Sequence, residues 1–127
     1  MEKTVIRTEA APAPFQGSPY NQAIRVGELV FLAGQLGGKP GDATVEGGIA
    51  EQTEQVFRNI AAILEAAGSS LDRLVKTTVF LQHLDDFTAM NEVYARHVGD
   101  RPPARATVEV AALPAGALIE IEAVAHL

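Results

Sequence analysis

The sequence predicts an α+β fold in which one six-stranded mixed sheet carries two helices on a single face. Two observations support this prediction. Segments with strand or helix spacing follow one another in the order β-β-β-α-β-α-β-β. The 127 residues, 47% hydrophobic and 20% charged, also suit one compact domain with a substantial core. Because two helices cannot cover both faces of six strands, we expect further copies of the chain to bury the uncovered apolar face.

Three strands are predicted ahead of the first helix, with the bounds Lys3–Thr8, Tyr20–Val26 and Glu28–Leu36. A proline-rich loop from Ala10 to Pro19 separates the first two, and Gly27 indicates a tight turn before the third. The stretch Leu29–Ala33 is almost entirely apolar, which is typical of a strand covered on both faces. Gly34 follows, where a missing side chain lets another group approach the backbone.

The middle of the chain predicts a loop, a helix and a strand. Residues 37–48 include five glycines and one proline, which indicates a flexible surface loop. A helix from Ile49 to Ala67 follows, and Gly68 stands where a glycine commonly ends a helix. Its apolar stripe consists of Ile49, Thr53, Val56, Ile60, Ile63 and Leu64. The strand Leu74–Gln82 then alternates, with Val75, Thr77, Val79 and Leu81 on one face.

A second helix is predicted from Asp86 to Val98. Asp85 is a favourable N-cap that puts an acidic group at the positive end of the helix, and Gly99 ends the helix. The i, i+4, i+7 spacing of three side chains places them on one helical face, and this favours burial or an interface for that face. These three are Phe87, Asn91 and Tyr94.

Two strands close the chain, Arg105–Ala112 and Ala117–Ala125, and the turn Leu113–Gly116 between them predicts a hairpin. Pro102 and Pro103 fix an extended approach to the first of these strands. An arginine at the mouth of that strand is well placed to bind a carboxylate or phosphate through both prongs of its planar guanidinium. The alternative is a surface arginine at a sheet edge, and spacing alone favours that alternative.

Composition excludes several classes of site. The chain has no cysteine, which rules out disulfides, thiolate metal sites and thiol nucleophiles. His83, His97 and His126 lack metal-ligand spacing, so no metal is expected and the three are interpreted as scattered polar positions. Ten basic against sixteen acidic residues give a net charge of −6, which argues against nucleic acid as a partner. Residues 1–7 contain no apolar signal core and no apolar run could span a membrane, so cytoplasm is expected.

Seven short segments of the sequence occur in a specific order and spacing, although each alone is a weak signal. They are Gly17–Ala23, Ala33–Gln35, Glu65–Gly68, Val75–Leu81, Phe87–Tyr94, Pro103–Val110 and Ile119–Ala123. On these segments the chain resembles the RidA/YjgF family of reactive-intermediate deaminases over nearly its whole length. The resemblance implies a single domain of this family over residues 1–127.

The resemblance also implies a chorismate-mutase-like α+β fold, assembled as a homotrimer with three sites in the clefts between subunits. Members of the main branch hydrolyse enamine and imine intermediates, released by amino-acid dehydratases, to 2-oxo acids and ammonia. They need no metal and no cofactor. The implied substrate is therefore a small imino or enamino acid.

Two catalytic residues are implied by the resemblance. Arg105 stands at the family's carboxylate-binding position, where a bidentate pair would fix both the place and the orientation of the substrate. Glu120 stands at the position proposed to orient the attacking water, and a strand carboxylate is a plausible general base. The alternative is an exposed strand glutamate such as Glu122, which points to the same face, and the residues alone do not decide between the two.

The resemblance implies further substrate-binding positions. Tyr20 matches a pocket tyrosine, Asn91 a pocket asparagine, and Gly34 a backbone position that meets the ligand. Ala33 replaces the usual serine, so a pocket hydroxyl is missing and the substrate range and rate are in question. Thr107 replaces the usual cysteine and serves about as well if that position acts through its backbone.

Three functions remain open at this stage. The first is deamination of small 2-imino acids. The second is endoribonuclease activity, reported for some family members, which the acidic balance disfavours. The third is a ligand-binding or regulatory module that holds a small carboxylate in the same cleft without turnover, and Ala33 keeps this third function possible.

Overall fold

The computed structural model describes residues 1–42 and 44–127, and the described residues form a six-stranded mixed sheet with two helices. The helices are α1 (Ile49–Ala66) and α2 (Phe87–Val98). The strands are β1 (Lys3–Ile6), β2 (Ala23–Val26), β3 (Leu29–Gln35), β4 (Leu74–Leu81), β5 (Ala104–Glu109) and β6 (Ile119–His126). Their order across the sheet is β1-β2-β3-β6-β4-β5, in which only the β4–β5 pair is parallel. The predicted fold class is confirmed.

The predicted hairpin between the last two strands is wrong. Strand β6 lies between β3 and β4 in the middle of the sheet, whereas β5 is an edge strand beside β4. The connection crosses β4 at Gln82, whose N–H donates to the Leu118 carbonyl, while the Val110 N–H donates to the Leu81 carbonyl. Turn residues indicate that the chain bends but do not select the neighbouring strand. Burial distinguishes the central strand from the edge strand, because alternate residues of β6 are buried, whereas Val108 of β5 is 44% exposed.

Helix α1 supplies the centre of the core. Five of its apolar side chains, Val56, Phe57, Ile60, Ile63 and Leu64, are completely buried. Four of these belong to the predicted stripe and Phe57 does not. The helix ends as predicted: Gly68 has a φ of +83°, and the Ser69 N–H donates to the Leu64 carbonyl over 2.8 Å. This terminus turns the chain toward β4.

Two local predictions need correction. The residues at the start of the predicted surface loop, Gly37 and Gly38, are buried, because a glycine at 37 lets the backbone of Gln52 approach closely. Ala43 of that loop lies outside the described residues. Val75 is 45% exposed and not on the buried face, because the pairing of β4 with β6 is irregular between Leu74 and Lys76.

The predicted cap of the second helix is also wrong. Residues Leu84–Asp86 form a 3-10 turn, and α2 begins after it at Phe87. The Asp86 N–H donates to the His83 carbonyl over 3.0 Å, and no side chain of the described residues caps the helix. The 3-10 turn therefore pairs an N–H group at the start of the helix with a backbone carbonyl, whereas the carboxylate of Asp85 was predicted to accept an N–H group there.

The sheet face opposite the helices is open in the single chain. Along β3, Val30 and Leu32 are buried, whereas Leu29 and Phe31 are 41% and 45% exposed. Val5 of β1 and Val108 of β5 are also exposed on this face. One chain thus covers β3 on one face only. Within the described residues, no helix is both long and apolar enough to cross a membrane.

Candidate functional site

Arg105 lies against the aromatic rings of α2. Its guanidinium carbon is 4.7 Å from the centroid of the Tyr94 ring and 5.4 Å from that of Phe87. The side chain is half-buried, and it forms no salt bridge with any carboxylate of residues 1–42 and 44–127. The ring faces therefore offset the burial of the cation, while its N–H donors remain available for an outside acceptor.

A cavity of about 390 Å³ opens beside this arginine. Asn91 of α2 lines the cavity together with Tyr94 and Arg105. We call Phe87, Asn91, Tyr94 and Arg105 the arginine half-site. Thr107 lies on the same face of β5 and is half-buried beside Val79, but it is not one of the residues that line this cavity.

Glu120 belongs to a second cluster, on β6. Burial raises the pKa of its half-buried carboxyl group above the usual value, and the negative charge of Glu122 adds a smaller effect in the same direction. Gly34 is packed directly against it: a Cβ atom at position 34 would lie 2.6 Å from Glu120 Oε2. The missing side chain at 34 therefore makes room for the carboxylate.

Tyr20 extends this second cluster. Its ring is 41% exposed, and its hydroxyl oxygen accepts the Phe15 N–H over 2.7 Å. Tyr20 and Gly34 line one cavity of about 270 Å³. We call Tyr20, Gly34 and Glu120 the glutamate half-site. Ala33 adjoins it in sequence, but its methyl group does not line that cavity, and its N–H donates to the Gln22 carbonyl over 2.9 Å.

The two half-sites lie on opposite faces of the sheet. Arg105 is paired with Thr77, which is completely buried on the helix side. Glu120 is paired with Phe80 of the same strand, three residues further on. Because side chains alternate along a strand, positions 77 and 80 point to opposite faces. One chain therefore does not bring its own arginine and glutamate to one ligand through the sheet.

Buried amide side chains that were not predicted from the sequence fix the loops around the glutamate half-site. Gln22 is 3% exposed; its Oε1 accepts the Thr8 N–H, and its Nε2 donates to the carbonyls of Thr8, Ala11 and Pro12. It thereby holds the proline-rich loop. Gln52 donates to the Gly47 carbonyl and accepts the Leu118 N–H over 2.8 Å, two residues before Glu120.

Asn59 completes this set of buried amides. Its Nδ2 donates to the carbonyls of Leu36 and Gly38 and so ties the chain after β3 to α1. A signal was present in the sequence, because Gln52 and Asn59 each directly precede a residue of the predicted stripe. Buried amides need several partners, so they join segments that are distant in sequence.

His97 has a more specific role than a scattered polar position. Its ring stacks on Phe57 with 4.7 Å between centroids and an interplanar angle of 3°. Its Nε2 also lies 2.9 Å from Glu54 Oε1, and this hydrogen bond is the main reason why the pKa of Glu54 is lowered. The histidine therefore helps to join α2 to α1.

The chain matches a family model described as endoribonuclease L-PSP over residues 8–127. A RutC family protein of Pyrococcus abyssi is 52% identical over 127 residues, with 99% of this chain and 98% of that protein covered. A human protein named 2-iminobutanoate/2-iminopropanoate deaminase is 44% identical, with 97% of this chain and 89% of that protein covered.

Solved structures agree with these sequence matches. The crystal structure of RidA from an Antarctic Psychrobacter has a TM-score of 0.93 and 45% identity, covering 98% of this chain and 99% of that chain. The structure of E. coli TdcF with bound serine has a TM-score of 0.90 and 35% identity, covering 98% of both chains.

Proposed function

The chain belongs to the RidA/YjgF family, and on that premise we propose that it hydrolyses reactive 2-imino acids and their enamine forms. In this reaction water adds to the C=N carbon, the carbon–nitrogen bond breaks, and a 2-oxo acid and ammonia are released. The name of the human relative, a 2-iminobutanoate/2-iminopropanoate deaminase, supports small aliphatic imino acids as substrates.

One observation carries the proposal. The Arg105 guanidinium rests on two aromatic rings beside a cavity, and no carboxylate of residues 1–42 and 44–127 pairs with it. An imino acid carries a carboxylate that fits this planar fork with two hydrogen bonds. Anchoring both carboxylate oxygens holds the imine carbon in one orientation, which is much of what an already reactive substrate requires.

Glu120 is the general base of the proposed reaction. The carboxylate accepts a proton from the water that attacks the imine carbon, and it returns a proton to the departing nitrogen. A carboxyl group with a raised pKa is the more basic when ionised, which suits both steps. Hydrolysis of an imine consumes one water and no external oxidant or reductant.

The remaining side chains bind substrate in this proposal. The Tyr20 hydroxyl oxygen accepts the Phe15 N–H, and the O–H group can still donate to the ligand. The Asn91 amide faces the same cavity as the arginine. Gly34 offers its backbone, Thr107 acts through its backbone, and Ala33 lacks the hydroxyl that the family's usual serine would contribute.

The proposed assembly is a homotrimer with each site in a cleft between two subunits. The half-sites lie on opposite faces of one sheet, so a complete site needs the arginine half-site of one copy and the glutamate half-site of another. The exposed apolar side chains of the open face supply the surface for such contacts.

The direct test is an imine-trapping assay. An amino-acid oxidase generates the imino acid, semicarbazide traps what remains, and its disappearance is followed with and without the protein. We expect wild type to accelerate imine loss and Arg105→Ala to match buffer. Arg101→Ala, which removes an exposed arginine four residues earlier, is the matched control and should retain activity. A wild type that does no better than buffer contradicts the proposed function.

Mixing two inactive variants tests the shared cleft. In co-assembled trimers of Arg105→Ala and Glu120→Gln subunits, some clefts receive an intact arginine from one copy and an intact glutamate from the next. If the copies mix at random, about a quarter of the clefts are complete, so about a quarter of the activity should return. A mixture that stays inactive, although mass spectrometry shows mixed assemblies, contradicts an intersubunit site.

Two other functions can be distinguished from imine hydrolysis by experiment. The description of the matched family model favours ribonuclease activity, which a labelled RNA cleavage assay would detect, whereas the net charge of −6 opposes RNA binding. A carboxylate-binding module would hold 2-oxobutanoate through Arg105 but leave imines unchanged. Ala33→Ser restores the missing hydroxyl and would show whether that group limits the rate.

A further inference from the structure

A buried hydrogen bond lies beneath the arginine half-site. The Thr77 and Tyr94 hydroxyl oxygens are 2.6 Å apart, with Thr77 completely buried and Tyr94 5% exposed. The bond joins the middle of β4 to α2, and Thr77 is also the residue paired with Arg105 across the sheet. A single threonine thus adjoins both the ring and the strand that carries the guanidinium.

The Tyr94 ring is fixed by a second neighbour. Phe57 of α1 meets it edge to face, with 5.2 Å between the centroids and an angle of 83° between the planes. Arg105 lies over the ring, 4.7 Å from its centroid. Hydrogen bond, edge contact and helix backbone together leave the ring one orientation, and the guanidinium rests on that ring.

We propose that Tyr94, held by its hydrogen bond to Thr77, is a positioning residue that fixes the Arg105 guanidinium for bidentate capture of the substrate carboxylate. This inference rests on the proposed function only for the identity of the ligand. The ring touches the arginine and not the reacting atoms, so it acts on orientation and not on chemistry.

Orientation needs such a support because, among the described residues, the Arg105 guanidinium has no polar side-chain partner and rests only on the Tyr94 ring and the more distant Phe87 ring. It forms no side-chain hydrogen bond within residues 1–42 and 44–127, and an arginine side chain has several rotatable bonds. A carboxylate partner in the same chain would fix the guanidinium but would compete with the substrate. An aromatic face fixes the same group without using its N–H donors.

The effect of the hydrogen bond between Thr77 and Tyr94 can be separated from the effect of side-chain packing. Thr77→Val together with Tyr94→Phe removes both hydroxyls and keeps both shapes, so the core loses no packing and no buried hydroxyl is left unpaired. Tyr94→Leu removes the ring face itself. If Tyr94 only stabilises the fold, the double variant should match wild type in the Arg105 resonance and in affinity for 2-oxobutanoate. If Tyr94 positions Arg105, both should change measurably.

The first measurement is the Nε–Hε resonance of Arg105 in ¹H–¹⁵N spectra of the full chain, assigned from its absence in Arg105→Lys. A proton over an aromatic face is shifted upfield. We expect this shift in wild type, a smaller shift in the double variant, and the smallest shift in Tyr94→Leu, where only the more distant Phe87 ring remains. An unchanged resonance in Tyr94→Leu would overturn the inference.

The second measurement is the affinity for 2-oxobutanoate by calorimetry. We expect Kd to rise about tenfold in Tyr94→Leu, because this variant loses the contact between the ring and the cation. In the double variant, which loses only the alignment of the ring, Kd should rise about threefold. In the imine assay KM should rise more than kcat falls, because Arg105 binds the carboxylate in ground and transition states alike. A fall in kcat alone contradicts positioning.

A stability control completes the test. Ile63→Ala empties a completely buried position of α1 that is not part of the aromatic stack, so it lowers the melting temperature while leaving resonance and Kd unchanged. If Ile63→Ala changes them as much as Tyr94→Leu does, the effect is general loosening and the inference fails. If wild type turns over no imine but the resonance responds as expected, the proposed function fails and the positioning role stands.

Discussion

The two half-sites hold their charged groups by opposite means. In the arginine half-site a permanent cation rests on the Tyr94 and Phe87 rings and has no carboxylate partner within residues 1–42 and 44–127. In the glutamate half-site a carboxyl group fills the space left by Gly34, and burial raises its pKa. The cation is stabilised without altering its charge, whereas the acid is made easier to protonate.

This difference assigns a different task to each half. A group that must bind a carboxylate benefits from a charge that never changes and from donors that stay unused. A group that must take up and return a proton benefits from partial desolvation. Substitutions in the two half-sites should therefore separate binding, which we assign to the arginine half-site, from proton transfer, which we assign to the glutamate half-site.

The largest effect is expected from Glu120→Gln. The amide keeps the shape of the side chain but cannot accept the proton, so kcat for imine hydrolysis should fall about 100-fold or more. Binding of 2-oxobutanoate, measured by calorimetry, should change little. Glu122→Gln on the same face is the matched control, and equal rates in the two variants would remove the role given to Glu120.

A smaller loss is expected from Arg105→Lys, on the other side of the comparison. The ammonium keeps the charge but offers a single point of contact instead of a two-pronged one, so kcat/KM should fall about 30-fold. Most of the loss should appear in KM. Wild-type affinity for 2-oxobutanoate in this variant would mean that the planar fork is not what binds the carboxylate.

Gly34→Ala should disturb the glutamate half-site and spare the arginine half-site. The added methyl group would displace the Glu120 carboxylate, which can move because it is the end of a flexible side chain. We expect kcat to fall about tenfold through misplacement of the base, with an unchanged melting temperature. A crystal structure of the variant with Glu120 in its original position, together with normal kcat, would contradict this account.

Much of the fold could be predicted from the sequence because its signals are local. The stripe of α1, Gly68 and the alternation of β4 each depend on neighbours within a few residues. The central position of β6 could not be predicted, since turn residues at 113–116 say nothing about which strand lies alongside.

The site shows the same limit. Candidate residues such as Arg105 and Glu120 could be named from the resemblance, but their separation by the sheet depends on strand register. The contact between Gly34 and Glu120, and the bond between Thr77 and Tyr94, each join segments far apart in sequence. Local pattern does not specify such contacts, because tertiary packing decides them.

The smallest effect concerns pH and tests the cause of the raised pKa. The proposed base acts when ionised, so activity should fall as pH drops through the pKa of Glu120, with the acid limb above the position of an ordinary glutamate.

Burial is the larger cause of the raised pKa of Glu120, and the charge of Glu122 is the smaller one. Glu122→Gln removes a like charge, which favours the ionised form of Glu120, and it should move the acid limb of kcat to slightly lower pH. Glu92→Gln, at an exposed position of α2, should leave the limb in place. A limb that moves upward, or that shifts equally in both variants, would show that a different group controls the proton transfer.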